Sequence, residues 1–264
     1  MATAVFFHAH PDDEAIATGG TMALMSADGH RVVLVTATRG ELGEVPEGLM
    51  GPEETLSHRR ERELTEACQA LGVARNEFLG YRDSGMQGEP TNDDPSSFWR
   101  APVDEAAKRL AELLVAEQAD VLTAYDENGV YGHPDHVQVH RVGLRAAQLA
   151  GTPRVFMATI NRDHIKGLTE RAEEFGIADM REMRERRDEI ESMGVEATRI
   201  TTAVDVSAHL EAKRRAMAAH ASQISEASFF LAMPPEAFAA VWGTEWYIRL
   251  GAPAQSELEG SLVG

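Results

Sequence analysis

Val5-Phe6-Phe7-His8-Ala9-His10-Pro11-Asp12-Asp13-Glu14 is a short apolar run that ends in histidine, proline and three consecutive acids. The apolar part has the length of a buried strand, and the acids suit the start of a helix. Free N–H groups and the dipole at a helix N-terminus favour each carboxylate there by about 0.3–1 kcal/mol. A second stretch repeats the arrangement. Residues 121–125 read as a strand and lead to Tyr131-Gly132-His133-Pro134-Asp135-His136. Pro134 fits a first helical turn, where its missing N–H is not needed.

Working outward, strand-like runs at 5–9, 32–37, 77–80, 121–125 and 155–160 alternate with apolar stripes at helical spacing. Leu64, Cys68 and Leu71 form one stripe; Val103, Ala107, Leu110 and Leu114 a second; Val139, Val142, Ala146 and Leu149 a third. The alternation predicts an α/β fold, a Rossmann-like mostly parallel sheet with helices on both faces. Right-handed crossovers gather the strand-to-helix loops on one edge, where such sheets bind ligands. Both His-Pro-Asp units lie in loops of that kind.

The chain has 264 residues, 25 Lys and Arg against 43 Asp and Glu, and a formal charge of −18. A surface that acidic repels phosphate backbones and anionic headgroups, so neither nucleic acid nor a membrane is expected as a partner. No run approaches the roughly 20 apolar residues of a bilayer span, and the start lacks the basic region of a signal peptide; the expectation is a cytoplasmic protein. Cys68, the single cysteine, falls on an apolar helix face and reads as core.

One domain is expected over 1–250. A densely charged stretch at about 170–193 suits an amphipathic helix, and the polar tail over 251–264 is expected to fray. Two glycine- and proline-rich loops, 39–57 and 82–100, are long enough to suggest function.

His10 with one of the aspartates, and the histidines of the second motif, are candidates for a divalent metal. Two imidazoles and a carboxylate with open positions make a catalytic rather than a structural zinc site, and iron accepts the same set. Such a metal can polarise a carbonyl and acidify water, and a nearby carboxylate can carry the proton.

The pair His10-Pro11-Asp12-Asp13-Glu14 and His133-Pro134-Asp135-His136 resembles the PIG-L/LmbE family of zinc-dependent N-deacetylases, which act on N-acetylglucosaminyl and related groups. The resemblance extends from the first strand to about residue 250. It implies an LmbE-like fold, His10, Asp13 and His136 as Zn2+ ligands, and Asp12, off the metal, as general base. It further implies that His133 stabilises the oxyanion, protonated and held by Asp135, with Tyr131 assisting. Arg60 and Asp83 match positions that grip sugar hydroxyls in the mycothiol-pathway members. The implied partner is a small amino-sugar substrate; a homo-oligomer is compatible with the sequence.

Other residues read more plainly. His140 suits packing beside the site, and His8, on the same strand face as His10, suits a buried hydrogen-bonded role. Gly19-Gly20 falls inside a first helix expected to run to about residue 27, and no Gly-x-Gly-x-x-Gly follows the strand, so dinucleotide binding lacks support. His220, in His220-Ala221-Ser222-Gln223, fits either an approach to the site or a helix cap. Trp242, Trp246 and Tyr247 fit core or interface. Two other functions share the metal motifs: a phosphoesterase, which usually needs two metals, and a sugar-binding protein without turnover.

Overall fold

A computed structural model describes residues 1–170, 193–252 and 257–264. The charged segment anticipated at about 170–193 lies, apart from its end residues, outside the described residues. Seven strands form one sheet in the order β3-β2-β1-β4-β5-β7-β6. The first five, β1 Thr3–His8, β2 Arg31–Thr36, β3 Arg75–Phe78, β4 Val121–Tyr125 and β5 Arg154–Thr159, are parallel. β6 Thr202–Asp205 and β7 Thr244–Arg249 extend the sheet by antiparallel pairing. The five parallel strands are those the apolar runs predict. The antiparallel pair is not, because Thr202-Ala203-Val204-Asp205 and Thr244-Glu245-Trp246-Tyr247 mix polar and apolar residues without a clear period.

β1 is central, and its residues Ala4 to Phe7 are fully buried on both faces, which is why it reads as a continuous apolar run. Fully burying a side chain such as Phe6 or Phe7 contributes about 1.5–3 kcal/mol. Helices α1 Asp13–Ala17, α2 Gly19–Ala27 and α3 Leu56–Leu71 follow β1 and β2, and α4 Val103–Ala116 precedes β4. A short turn, α5 Gly129–Gly132, leads into α6 Pro134–Ala150; α7 spans Arg162–Glu170 and α8 Leu210–Ala219. α2, α3 and α8 pack together, and α4 packs on α6 as the second layer. Cys68 is buried in the α3 interface, as its stripe implies.

The strand order reverses between β1 and β4, so the loops after these adjacent strands face one crevice at the carboxyl edge. Both His-Pro-Asp units are in those loops.

One expectation is corrected: the first helix is broken at Thr18 into α1 and α2. Glu245 of β7 accepts the N–H groups of Gly20 and Thr21 at 2.8 Å each at the start of α2, and Gly20 lets α2 approach Val206, whose Cβ would lie 2.5 Å from a Cβ there. Residues 257–264 lie against the sheet and its neighbours. Glu259 pairs with Thr202 in an isolated bridge, Arg249 bonds Glu259 at 2.6 Å, and Leu262 is buried. Tyr247 is core, whereas Trp246 packs on a small separate cluster of Met157, Val195, Ile200 and Ile248. Among the described residues no helix is long and apolar enough to cross a membrane.

Candidate active site

The loop after β1 is held from many directions. His10 is buried, and its backbone N–H donates to Asp13 Oδ2 at 2.9 Å. Asp12 occupies the N-cap position of α1 but makes no side-chain capping bond, and its backbone is strained at φ 119°, ψ −33°. Arg60 of α3 reaches under it. The guanidinium donates to Gly40 O at 2.7 Å and to Pro11 O, and pairs with Asp12 Oδ1 at 3.2 Å. Glu14 is fully buried, accepts the Asp12 N–H at 2.9 Å and contacts His220 Nε2 at 2.6 Å.

The loop after β4 follows ordinary helix-start rules. His133 is the N-cap of α6, extended at φ −60°, ψ 132°, with Pro134 at the first helical position. Its Nδ1 accepts the Asp135 backbone N–H at 3.1 Å. The turn before it is anchored by buried Asp126. Its Oδ1 accepts the N–H groups of Asn128 and Val130 at 3.0 and 3.1 Å, and its Oδ2 accepts the Thr159 hydroxyl at 2.6 Å. Those bonds hold Val130 at φ 67°, ψ −55°, a second strained residue beside the cleft. Tyr131 follows it, exposed, with its hydroxyl 3.5 Å from His136 Nε2.

The two loops meet at Asp13. Its Oδ2 lies 3.4 Å from His10 Nδ1 and 3.3 Å from His136 Nε2. A tetrahedral ion with ligand bonds of about 2.1 Å separates neighbouring ligand atoms by about 3.4 Å. Each imidazole thus stands from Asp13 Oδ2 at the spacing of neighbouring ligands on one ion. Among the described residues, the groups whose ligand-type atoms all lie within 4.8 Å of one another are His10–His133–His136 and His10–Asp83–Asp135, neither of which includes Asp13. Within them His133 Nδ1 accepts the Asp135 N–H, Asp83 accepts the N–H groups of Gly85 and Leu42, and Asp135 accepts the N–H and hydroxyl of Ser84, just as Asp13 Oδ2 accepts the His10 N–H. Asp135 Oδ2 also faces His10 Nε2 at 3.2 Å. A carboxylate on the far nitrogen of a ligating imidazole fixes its tautomer and raises its basicity.

Behind His136 the Tyr125 ring stacks at 4.6 Å, and its hydroxyl bonds buried His8 at 2.7 Å. His8 in turn reaches Thr18 at 2.9 Å, the structural role its sequence position suggests. His140 Nδ1 bonds Tyr125 O at 2.9 Å, away from the cluster.

Charges in this cluster strongly perturb one another. Burial alone would raise Asp13, but His136 and His10 beside it hold it well below the ordinary carboxylate range. His10 is raised well above its usual value: burial opposes its charge, and Asp13, Asp135 and Asp83 outweigh burial. Asp83 is depressed chiefly by His10, against burial. Asp12 moves the other way, up to about 6, because burial outweighs the guanidinium of Arg60. Burial, with His10 and His136 nearby, lowers His133 to about 3.

Thus His10, Asp13, His136, Asp12, His133, Asp135, Asp83 and Tyr131 converge on one cleft. One detail differs from expectation. The Asp135 carboxylate is turned to Ser84 and His10, so Asp135 holds His133 only through its backbone N–H. Arg60 is inward-facing, braced on Pro11, Gly40 and Asp12. The sequence reading missed Ser84 and Asp126, small or single polar residues in loops that carry no periodic signal. It also missed the partner of His220, because Glu14 looks like an ordinary first-turn acid.

A parallel sheet with two such loops at its switch point, enclosing a buried imidazole–carboxylate cluster able to hold a metal, defines an LmbE-like α/β enzyme. Solved structures share the fold. The N,N'-diacetylchitobiose deacetylase of Pyrococcus horikoshii superposes with a TM-score of 0.60 at 21% identity, covering 94% of this chain and 83% of that one. The 4-carboxy-2-hydroxymuconate hydratase of Pseudomonas putida superposes with a TM-score of 0.63 at 18% identity, covering 98% and 100%. The fold alone thus hosts more than one chemistry.

Sequence likeness is more specific. Residues 5–147 match the family described as PIG-L, GlcNAc-PI de-N-acetylase. A 1D-myo-inositol 2-acetamido-2-deoxy-alpha-D-glucopyranoside deacetylase of Thermomonospora curvata is 42% identical over 94% of this chain and 90% of its own length. A deacetylase of the same description from Catenulispora acidiphila is 41% identical, covering 86% and 76%. This chain belongs to the PIG-L de-N-acetylase family, and is an enzyme of that metal-dependent class acting on an amide bond.

Proposed function

We propose that this protein is a zinc-dependent N-deacetylase that frees the glucosamine nitrogen of an N-acetylglucosaminyl-inositol conjugate, the substrate named for its relatives. The reading takes the chain up to about residue 250 as one catalytic domain working in the cytoplasm on a small soluble substrate. The observation that carries it is Asp13 Oδ2 set between His10 Nδ1 and His136 Nε2, at 3.4 and 3.3 Å, with the adjacent Asp12 carboxylate left out of helix capping.

His10, Asp13 and His136 would hold the zinc, and Fe2+ would fit the same ligands. When bound, the metal polarises the acetyl carbonyl and acidifies water. Asp12, raised to about 6, is matched to proton transfer near neutral pH. It takes the proton of the attacking water and delivers it to the departing amine. His133 acts as a neutral donor: with Nδ1 occupied by the Asp135 N–H, its proton sits on Nε2, ready for the oxygen on which charge develops. The Tyr131 hydroxyl is the second donor, protonated near neutral pH as a phenol ordinarily is. Asp83, ionised at the rim of the same cluster, would accept sugar hydroxyls, and Arg60 would serve the substrate indirectly by seating Asp12.

Purified protein loaded with zinc and given N-acetylglucosaminyl-inositol should release acetate and a primary amine, stop in chelator and recover on adding zinc. Absence of acetate release from a panel of N-acetylglucosaminyl conjugates, with zinc bound, would overturn the proposal.

A further inference from the structure

Asp12 has a backbone conformation that ordinary residues avoid. At φ 119°, ψ −33° it lies outside even the small left-handed well near +57°, +47°. Such strain persists only where the surroundings over-determine it. The contacts on residue 12 divide the task. Its carbonyl accepts from Ala15 and Ile16 at 3.1 and 3.2 Å, as any helix start would require. Its side chain faces Arg60. Its N–H is taken by Glu14 Oε2, two residues on.

Glu14 has no freedom to move. Its other oxygen contacts His220 Nε2 at 2.6 Å, and both side chains are fully buried. His220 caps α8, and α8 is pinned in turn: Lys213 Nζ donates to Ile16 O at 2.7 Å, near the end of α1, and to Glu245 Oε1 at 2.6 Å. A chain of bonds thus runs from the antiparallel strand β7 through α8 to the peptide of residue 12.

We infer that Glu14 and His220 are positioning residues that hold the residue 12 peptide in its strained conformation and so set the bearing of the Asp12 carboxylate. The conformational half stands on these contacts alone. The catalytic half rests on the role proposed above for Asp12. An ion pair that merely stapled α8 to α1 would leave the conformation of residue 12 to its other contacts, and the two readings differ in measurement.

Glycine tolerates positive φ and alanine does not. Asp12→Gly should therefore melt above Asp12→Ala by about 3–8 °C in the otherwise native protein. In a Glu14→Ala background residue 12 is released, and the gap should fall below about 1 °C. If Glu14→Ala does not fold, the pair Glu14→Met with His220→Phe, which removes the ion pair at similar volume, gives the same comparison. No gap in the native background, or an equal gap in both, overturns the inference.

For catalysis, Glu14→Ala should lower kcat roughly 30–100-fold while KM and the zinc dissociation constant from metal titration stay near native. Glu14→Gln can still accept the Asp12 N–H and donate to His220, so it should stay within about 3-fold of native. Equal loss in both variants, or no loss in Glu14→Ala, overturns it. A native protein without deacetylase activity would refute the functional reading, and the melting comparison would still decide the conformational claim.

Discussion

At His133-Pro134-Asp135-His136 the backbone is shaped locally, by an N-cap histidine, a proline in the first turn and a 17-residue helix, and distant contact enters through the Asp135 carboxylate, which meets Ser84 and His10. At His10-Pro11-Asp12-Asp13-Glu14 the backbone is held from a distance: Arg60 comes from α3 and His220 from the end of α8. The first helix is only five residues long and breaks at Thr18. The same three-letter motif is therefore built by helix-start chemistry in one place and by tertiary bracing in the other. The braced loop carries Asp12, the proposed base, which burial raises to about 6 against the guanidinium of Arg60, and a buried carboxylate needs neighbours that a local turn cannot supply.

The comparison can be broken at several points, beginning with the largest effect. Asp12→Asn should cut kcat by about 10²–10⁴-fold with metal content unchanged; acetate release alongside metal analysis would show it, and retention of half the activity would remove Asp12 from its role. His220→Ala should cost about 3–5 kcal/mol in urea unfolding, because it strands the buried Glu14 carboxylate. Its pH dependence follows from the two shifts. His220 is raised above 6.5 by Glu14, against burial, so its share is complete below 6.5 and is lost as pH climbs through the raised value. Glu14 is lowered below 4.5 by His220, again against burial, so its share is complete above 4.5 and is lost as pH falls through the lowered value. The gap between native protein and variant should accordingly be widest between those limits and narrow towards either extreme.

His133→Ala should lower kcat by about 10²–10³-fold, the cost of one oxyanion donor, yet destabilise by only about 1 kcal/mol as a lost cap. That contrast with His220 is the sharpest test of local against distant support; a destabilisation as large as that of His220→Ala would erase the distinction. Gly20→Ala should cost about 1–3 kcal/mol by forcing a Cβ against Val206. Pro134→Ala, at a position already suited to helix, should change stability by no more than about 1 kcal/mol. Thermal and urea unfolding of both variants would show whether the first loop is the more sensitive one.

Much of this protein is legible along the chain. The five parallel strands, the stripes of α3, α4 and α6 and both metal-type motifs follow from short-range patterns, because apolar period and helix-start chemistry are set by residues a few positions apart. The paired motifs also sufficed to assign the family. What could not be read is what depends on side chains meeting across long separations. Glu14 and His220 are 206 positions apart; Gly20 opens a gap that only Val206 and Glu245 explain; Asp135 turns to Ser84 rather than to its neighbour His133. Residue order alone determined the sheet, the crevice and the ligands offered to it. Only the packed structure decided which neighbours each carboxylate and imidazole meets and what holds Asp12 in its strained backbone, since burial and neighbouring charge exist only once distant segments have come together.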